Sequence, residues 1–247
     1  MGSSWAKRLN GATNRLYWRL AQRPHYLEVY RRMVDDAVGR ADAVIHLGAG
    51  ALDFAKVTSV DLAGKQVWAV DPDESALVRN PNPNRIVAFG EAIPLPDGCA
   101  DAVVCEHVVE HLDKPLEVLR EARRLLRPAG RFVFTTPNLL SYSGVATRLT
   151  PQRFHDFWIA KLRADGAART EEPYPTHFRM NDVWSIAKLA RQSGFEVGEL
   201  FTGVDHPTYT YPLPGVHQLA AGWHMALDRI EWLAPFRITL TATLVRP

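Results

Sequence analysis

The chain is short of the features that mark proteins of oxidising compartments, membranes or nucleic-acid complexes. It has two cysteines, Cys99 and Cys105, too few for a disulfide framework or a four-cysteine zinc site. No apolar run approaches the roughly 18 residues that a membrane span requires. The first residues lack the apolar stretch of a secretory signal, so a cytoplasmic protein is expected. A formal charge of +2 is too small an excess to suggest a dedicated nucleic-acid binder. Internal repeats and low-complexity tracts are missing as well. What the chain has is length and apolar content: 247 residues, 47% hydrophobic, fit one domain with insertions and a substantial core.

The most specific local pattern is Ala43-Val-Ile-His-Leu-Gly-Ala-Gly50, followed by Val67-Trp-Ala-Val-Asp71. An apolar run ends in a Gly-x-Gly turn, a helical segment is expected next, and a second apolar run ends in one carboxylate. This is the layout of a nucleotide-binding βαβ unit. Glycine lets backbone amides approach a ligand, and an acid about 20 residues on can accept both ribose hydroxyls. Dinucleotide oxidoreductases want a third glycine where this chain has Asp53, which argues against NAD.

Around that unit, apolar runs and amphipathic stretches alternate, which predicts a parallel sheet covered on both faces. Strands are expected at 43–47, 67–70, 85–89, 101–105, 131–136, 195–201 and 237–245. Helices are expected at 115–127, opened by Pro115, at 181–193, closed by Gly194, and at 216–233. Residues 5–39 read as one or two basic helices, with Pro24 dividing them or opening the second, and with Trp5, Leu9, Leu16, Tyr17 and Leu20 at helical spacing. Their arginines fit a solvated face.

Several blocks in order make the chain resemble the class I S-adenosylmethionine-dependent methyltransferases, in particular the small-molecule enzymes called type 11. The blocks are His46-Leu-Gly-Ala-Gly50, Val70-Asp-Pro72, Gly90-Glu-Ala-Ile-Pro94-Leu-Pro-Asp-Gly98, Asp101 to His111, Leu125-Leu-Arg-Pro-Ala-Gly130 and Thr135-Thr-Pro-Asn138. The resemblance implies a doubly wound, Rossmann-like α/β fold. Its seven-stranded sheet has order 3-2-1-4-5-7-6 with strand seven antiparallel, in a single domain 1–247. A helical cap (1–40) and lid insertions (139–180 and 204–233) complete it. It implies S-adenosylmethionine as cofactor, with His46, Gly48, Ala49, Gly50, Asp71, Pro72, Phe89, Gly90, Glu91, Cys105 and Glu106 around it. The chain departs from the family in having His46 for an acid, Leu52 for a third glycine and Phe89 for an aspartate.

His107, Glu110 and His111 spell His-x-x-Glu-His, a zinc-peptidase signature. That signature requires one helix carrying both histidines, whereas here it spans a strand end and a helix start, so no metal is assigned. Related O-methyltransferases hold a divalent ion with Glu-x-x-Glu-His at this place, and His107 replaces their first glutamate. Hydrogen bonding of Glu110 and His111 to neighbouring loops is the plainer expectation. His111 is the first candidate for general base, with His107, His155 and His177 behind it. The expected reaction is methyl transfer to a small-molecule acceptor, at a hydroxyl oxygen first and at nitrogen second, in a biosynthetic pathway. Tyr142, Phe154, His155, Phe157, Trp158, Tyr174, His177, Tyr209 and Tyr211 are the aromatic candidates for the acceptor side. The rival readings are a cofactor-assisted cyclase and a non-catalytic nucleotide- or partner-binding module. Oligomeric state is left open, a homodimer included.

Overall fold

In the computed structural model residues 4–149, 174–205, 207, 210, 211, 213 and 215–247 are described. Candidates His155, Phe154, Phe157, Trp158 and Tyr209 lie outside these residues. The chain forms two compact units. One takes residues 27–137, 175–201 and 240–247; the other takes residues 1–26, 138–174 and 202–239.

The first unit is built on a seven-stranded sheet. Its strands are β1 (Ala43–Leu47), β2 (Gln66–Asp71), β3 (Arg85–Val87), β4 (Ala100–Glu106), β5 (Leu126–Pro137), β6 (Glu196–Gly203) and β7 (Thr239–Val245), in the order β3-β2-β1-β4-β5-β7-β6. Strands β1 to β5 pair in parallel, with Leu47 opposite both Val70 and Cys105. Strand β7 is antiparallel: Arg246 exchanges backbone bonds with the Ala129–Gly130 turn at the start of β5. Order and direction both match the expectation.

Side-chain alternation sends Val44, Ala102, Val104 and Val133 to one face of the sheet, where Val29, Tyr30, Met33, Val34 and Val38 of α2 (Tyr26–Gly39) cover them. The other face carries Ile45, Leu47, Val103, Cys105, Phe132 and Phe134. These pack against Val118, Leu119 and Leu125 of α4 (Pro115–Leu125) and Ile186 and Ala190 of α6 (Val183–Ser193). A strand buried on both faces reads as a continuous apolar run, which is why β1, β4 and β5 were easy to place. Helix α6 ends as read, closed by Gly194 at φ 78°, but starts later than read, because Asp182 caps it by accepting from the Trp184 and Ser185 amides.

Four local features differ from the reading. No long helix links β1 to β2; a single 3-10 turn, Phe54–Lys56, stands there. Its cause is long-range. Asp35 on α2 accepts bonds from the Thr58 hydroxyl (2.6 Å) and the Ser59 amide (2.9 Å). Phe54 and Val57 join the core beneath α2, so α2 fills the layer that a crossover helix would occupy. Strand β3 is shorter than 85–89, and β5 begins directly at Leu126, where α4 ends. The expected helix 216–233 is α7 (Val216–Arg229) followed by a 3-10 segment, Glu231–Phe236, containing Pro235.

In the second unit α1 (Ser4–Leu20) packs beside α7, and Tyr17, Val204, Leu227 and Leu233 make a small core. Buried Arg237 donates to the Leu227 carbonyl (2.9 Å) and the Thr202 hydroxyl (3.0 Å). Helix α5 (Tyr142–Leu149) also belongs to this unit. The remaining helix, α3 (Glu74–Leu77), follows β2 in the sheet unit and is capped by Asp73.

Candidate functional site

The carboxyl ends of β1, β2 and β4 bring the sequence candidates together, as an open α/β sheet does. Gly48 and Gly50 have φ of 70° and 43°. At Gly48 a Cβ would stand 2.1 Å from Cγ2 of Val108, so both the backbone angle and the space exclude a side chain there. The expectation that this turn offers its amides to a ligand is corrected by their bonding. The Gly48 and Ala49 amides donate to the Val70 carbonyl (2.8 and 3.1 Å) and the Gly50 amide donates to Oδ2 of Asp71 (2.8 Å). The turn is therefore sewn to β2, and Val108 packs against its first glycine.

Asp71 ends β2 nearly buried, at 9% exposure. Its second oxygen accepts from the Asp73 amide at 2.8 Å. A carboxylate oxygen has two lone pairs, so each oxygen retains one acceptor position after these bonds. Asn80 ties the next stretch down, donating to the Gly50 and Leu52 carbonyls at 2.9 Å each. Pro72 follows Asp71 on the surface, while Phe89 stands 70% exposed in the loop after β3, with Gly90 and Glu91 half-buried behind it.

His46 is buried against Phe54, and its Nδ1 has no hydrogen-bond partner among the described residues. Burial pushes its pKa down to about 4, which keeps the ring neutral near pH 7. Tyr30, which sequence reasoning missed, presents a second buried and unpartnered polar atom, its hydroxyl. Burial, then the nearby Glu106 and Cys105, push this phenol well above its ordinary range. Its only sequence signal was a polar tip within the buried stripe of α2. Cys105 is sunk in the apolar core and Glu106 is half-buried at the end of β4, so at position 105 only backbone is within reach of a ligand.

Beyond β4 the chain turns sharply at His107, φ 53°, into a 3-10 turn Val109–His111. The peptidase geometry is thus not formed, and no group of three metal-capable side chains exists among the described residues. Glu110 is buried and bonded: Oε2 accepts from the Thr136 hydroxyl (2.8 Å), which accepts from Nδ2 of Asn181 (2.7 Å), and Oε1 lies 3.4 Å from Nδ1 of His107. Burial opposes the charged form, but His107 and Thr136 outweigh it and hold the carboxyl below its ordinary value. The Glu110 carbonyl accepts the amides of His177 and Phe178, fixing Phe178 at φ 51°. His111 donates from Nδ1 to the Pro175 carbonyl at 2.8 Å. The loop-bonding expectation for this pair holds. The carbonyl can only accept, so Nδ1 carries a proton in this contact.

The carboxyl ends of the strands thus carry a buried acid, a glycine turn and an imidazole fixed by a backbone carbonyl. A family model described as a methyltransferase domain matches residues 45–134, the stretch from β1 through β5 that builds this end of the sheet. Over these residues the chain is similar to methyltransferase domains, and its sheet has the strand order of the class I methyltransferase fold. A probable S-adenosylmethionine-dependent methyltransferase of Mycolicibacterium smegmatis is 33% identical over 139 residues, 54% of this chain and 52% of that protein. A ubiquinone/menaquinone biosynthesis C-methyltransferase of Acidiphilium cryptum is 27% identical over 82% of this chain and 76% of its own length. A crystal structure of an S-adenosylmethionine-dependent methyltransferase from Mesorhizobium loti superposes with TM-score 0.52 at 16% identity, covering 89% of this chain and 96% of that one. The chain spans about half the length of the first of these curated relatives. The methyltransferase fold explains why the polar groups crowd one end of the sheet, and the cofactor of the family is S-adenosylmethionine.

Proposed function

We propose that this protein binds S-adenosylmethionine at the carboxyl ends of β1, β2 and β4 and transfers its methyl group to a hydroxyl of a small molecule. The observation that carries the reading is Asp71: a nearly buried carboxylate with one acceptor position left on each oxygen, bonded to the glycine turn through the Gly50 amide. Two free acceptor positions match the two hydroxyls of a ribose. The unpartnered Nδ1 of His46 and hydroxyl of Tyr30 give the methionine end of the cofactor polar groups to satisfy, and Glu106 adds negative charge that complements a sulfonium.

When bound, the cofactor would supply a methyl group already activated on sulfur. The residues' task is then to position the acceptor and take its proton. Positioning is worth several kcal/mol, up to about 7–11 in ideal cases. His111 is the residue we assign to the proton, because its ring is held in place by the Pro175 carbonyl. A base of this kind contributes roughly 10²–10⁴-fold. Glu110, locked by Thr136 and Asn181, holds the loop that carries it.

The test is methyl release from labelled S-adenosylmethionine with a panel of phenols, sugars, aliphatic alcohols and amines, for the wild type and His111→Asn. The reading expects transfer to a hydroxylated acceptor, a rate in the variant lower by at least about a hundredfold, and unchanged affinity for S-adenosylhomocysteine. Product methylated at carbon or nitrogen would overturn the acceptor class. Full activity in the variant would remove His111 as base.

A further inference from the structure

Helix α1 is built with its polarity reversed. The residues it buries are Ala6, Asn10 and Tyr17, and it is fastened to its own unit by polar side chains. Asn10 donates to the Tyr211 carbonyl (2.6 Å), Gln218 of α7 donates to Asn10 Oδ1 (2.8 Å), and Asn14 bonds His217 at 2.9 Å. The large apolar residues face outward instead: Trp5 is 56% exposed, Leu9 40%, Leu16 53% and Leu20 39%. At 100° per residue these four fall within about 60° of one another, a continuous ridge along a helix about 25 Å long. An ordinary surface helix does the opposite and turns such a stripe to the core.

Charge completes the pattern. Arg8, Arg15 and Arg19 form a second ridge about 90° from the apolar one, on its side away from the buried residues. Lys7 adds a fourth cation, and residues 4–20 contain no Asp or Glu. An apolar ridge edged by arginines, on a helix of low overall hydrophobicity, is the composition of helices that lie in a bilayer interface. A second copy of the chain fits less well, because antiparallel pairing of two α1 ridges about a two-fold axis would put both arginine rows on the same side. Neither this nor a parallel pairing would supply the arginines with an acidic partner from α1.

From this inverted helix we infer that the protein docks on anionic lipid surfaces through α1, with Trp5, Leu9, Leu16 and Leu20 entering the headgroup boundary and the three arginines meeting lipid phosphates. No helix among the described residues is long and apolar enough to cross a membrane, so the contact is peripheral. The inference does not depend on the methyl-transfer reading, since α1 and the proposed cofactor site lie in different units.

Flotation of the full chain with vesicles of phosphatidylcholine alone, and of phosphatidylcholine mixed equally with phosphatidylglycerol, tests it. Binding is expected to the anionic vesicles and to weaken as salt is raised. Replacing Arg8, Arg15 and Arg19 with Gln should lower partitioning about fivefold per residue, on the order of a hundredfold together. Leu9→Ser with Leu16→Ser should lower it at least about tenfold. These side chains are exposed, so far-ultraviolet circular dichroism and the melting midpoint should not change. If a variant fails to fold, the lipid and salt comparison on the wild type still decides. Equal binding to both vesicles, binding to neither, or a wild-type dimer by light scattering that the Leu9/Leu16 variant dissolves would each overturn the inference.

Discussion

At the amino ends of the strands almost every charge in the sheet unit is spent on the fold, whereas at the carboxyl ends polar groups are buried and left wanting. Arg124 binds Glu121 (2.7 Å) and the carbonyls of Ile93 (3.1 Å) and Leu95 (2.9 Å). Asp101 takes the amides of Asp42 and Ala43 at 2.9 Å each, and Arg127 at 2.7 Å. Among the described residues, Nε of Arg246 is the buried unpartnered atom there. At the other end, Nδ1 of His46, the Tyr30 hydroxyl and Oδ1 of Asn181 are all buried without partners among the described residues. A buried polar group without a partner costs about 1–3 kcal/mol. Under the proposed function, the three such atoms at the carboxyl end stand where the cofactor would bind.

Substitutions can break this comparison. The largest effect is expected from glycine. Gly48→Ala meets Val108 and adopts φ 70°, while Gly98→Ala, at φ 60° near the amino end, has open space around its Cβ. Calorimetry with S-adenosylhomocysteine should find affinity lost by at least about a hundredfold in the first, from strain and overlap. The second should bind normally and lose about 1 kcal/mol of stability. Equal behaviour of the two would dissolve the distinction.

Acid should sharpen it next. The pKa of His46 is depressed in the fold, from 6.5 to about 4, so its contribution is complete above about pH 6.5 and is lost as pH falls toward 4. The loss is on the order of 3 kcal/mol. Urea unfolding between these pH values should show that limb in the wild type and a flatter one in His46→Leu. Glu110 and Asp101, whose values are lowered, lose their contributions only further into acid. The smallest effect belongs to the amino end: Arg124→Leu should lower the melting midpoint by several degrees, for roughly 1–2 kcal/mol. Affinity for S-adenosylhomocysteine should be unchanged, and a drop in affinity would show that the two ends are coupled.

The parts of this account legible in the sequence are those fixed by short-range chemistry. Gly48, Gly50 and Asp71 were readable because a strand-end turn and the next strand's last residue are set by local spacing. Gly194 closes α6 through its own cap. What stayed hidden depends on distant partners. Asp35 holds Thr58 and Ser59, so the crossover helix gives way to one 3-10 turn. The amides of the glycine turn go to Val70 and Asp71 rather than outward. Tyr30 matters because it reaches the neighbourhood of Glu106 from another element. The spacing of Trp5, Leu9, Leu16 and Leu20 was visible, but periodicity tells only that a helix has an apolar side, not which way that side faces.

Asp71 decides the central claim. Calorimetric titration of the wild type and Asp71→Ala with S-adenosylhomocysteine should give one-site binding in the first. In the second, affinity should be weaker by about a hundredfold or more, the loss of two hydrogen bonds to a charged acceptor. Undiminished affinity in Asp71→Ala, with the fold intact by circular dichroism, would contradict the account.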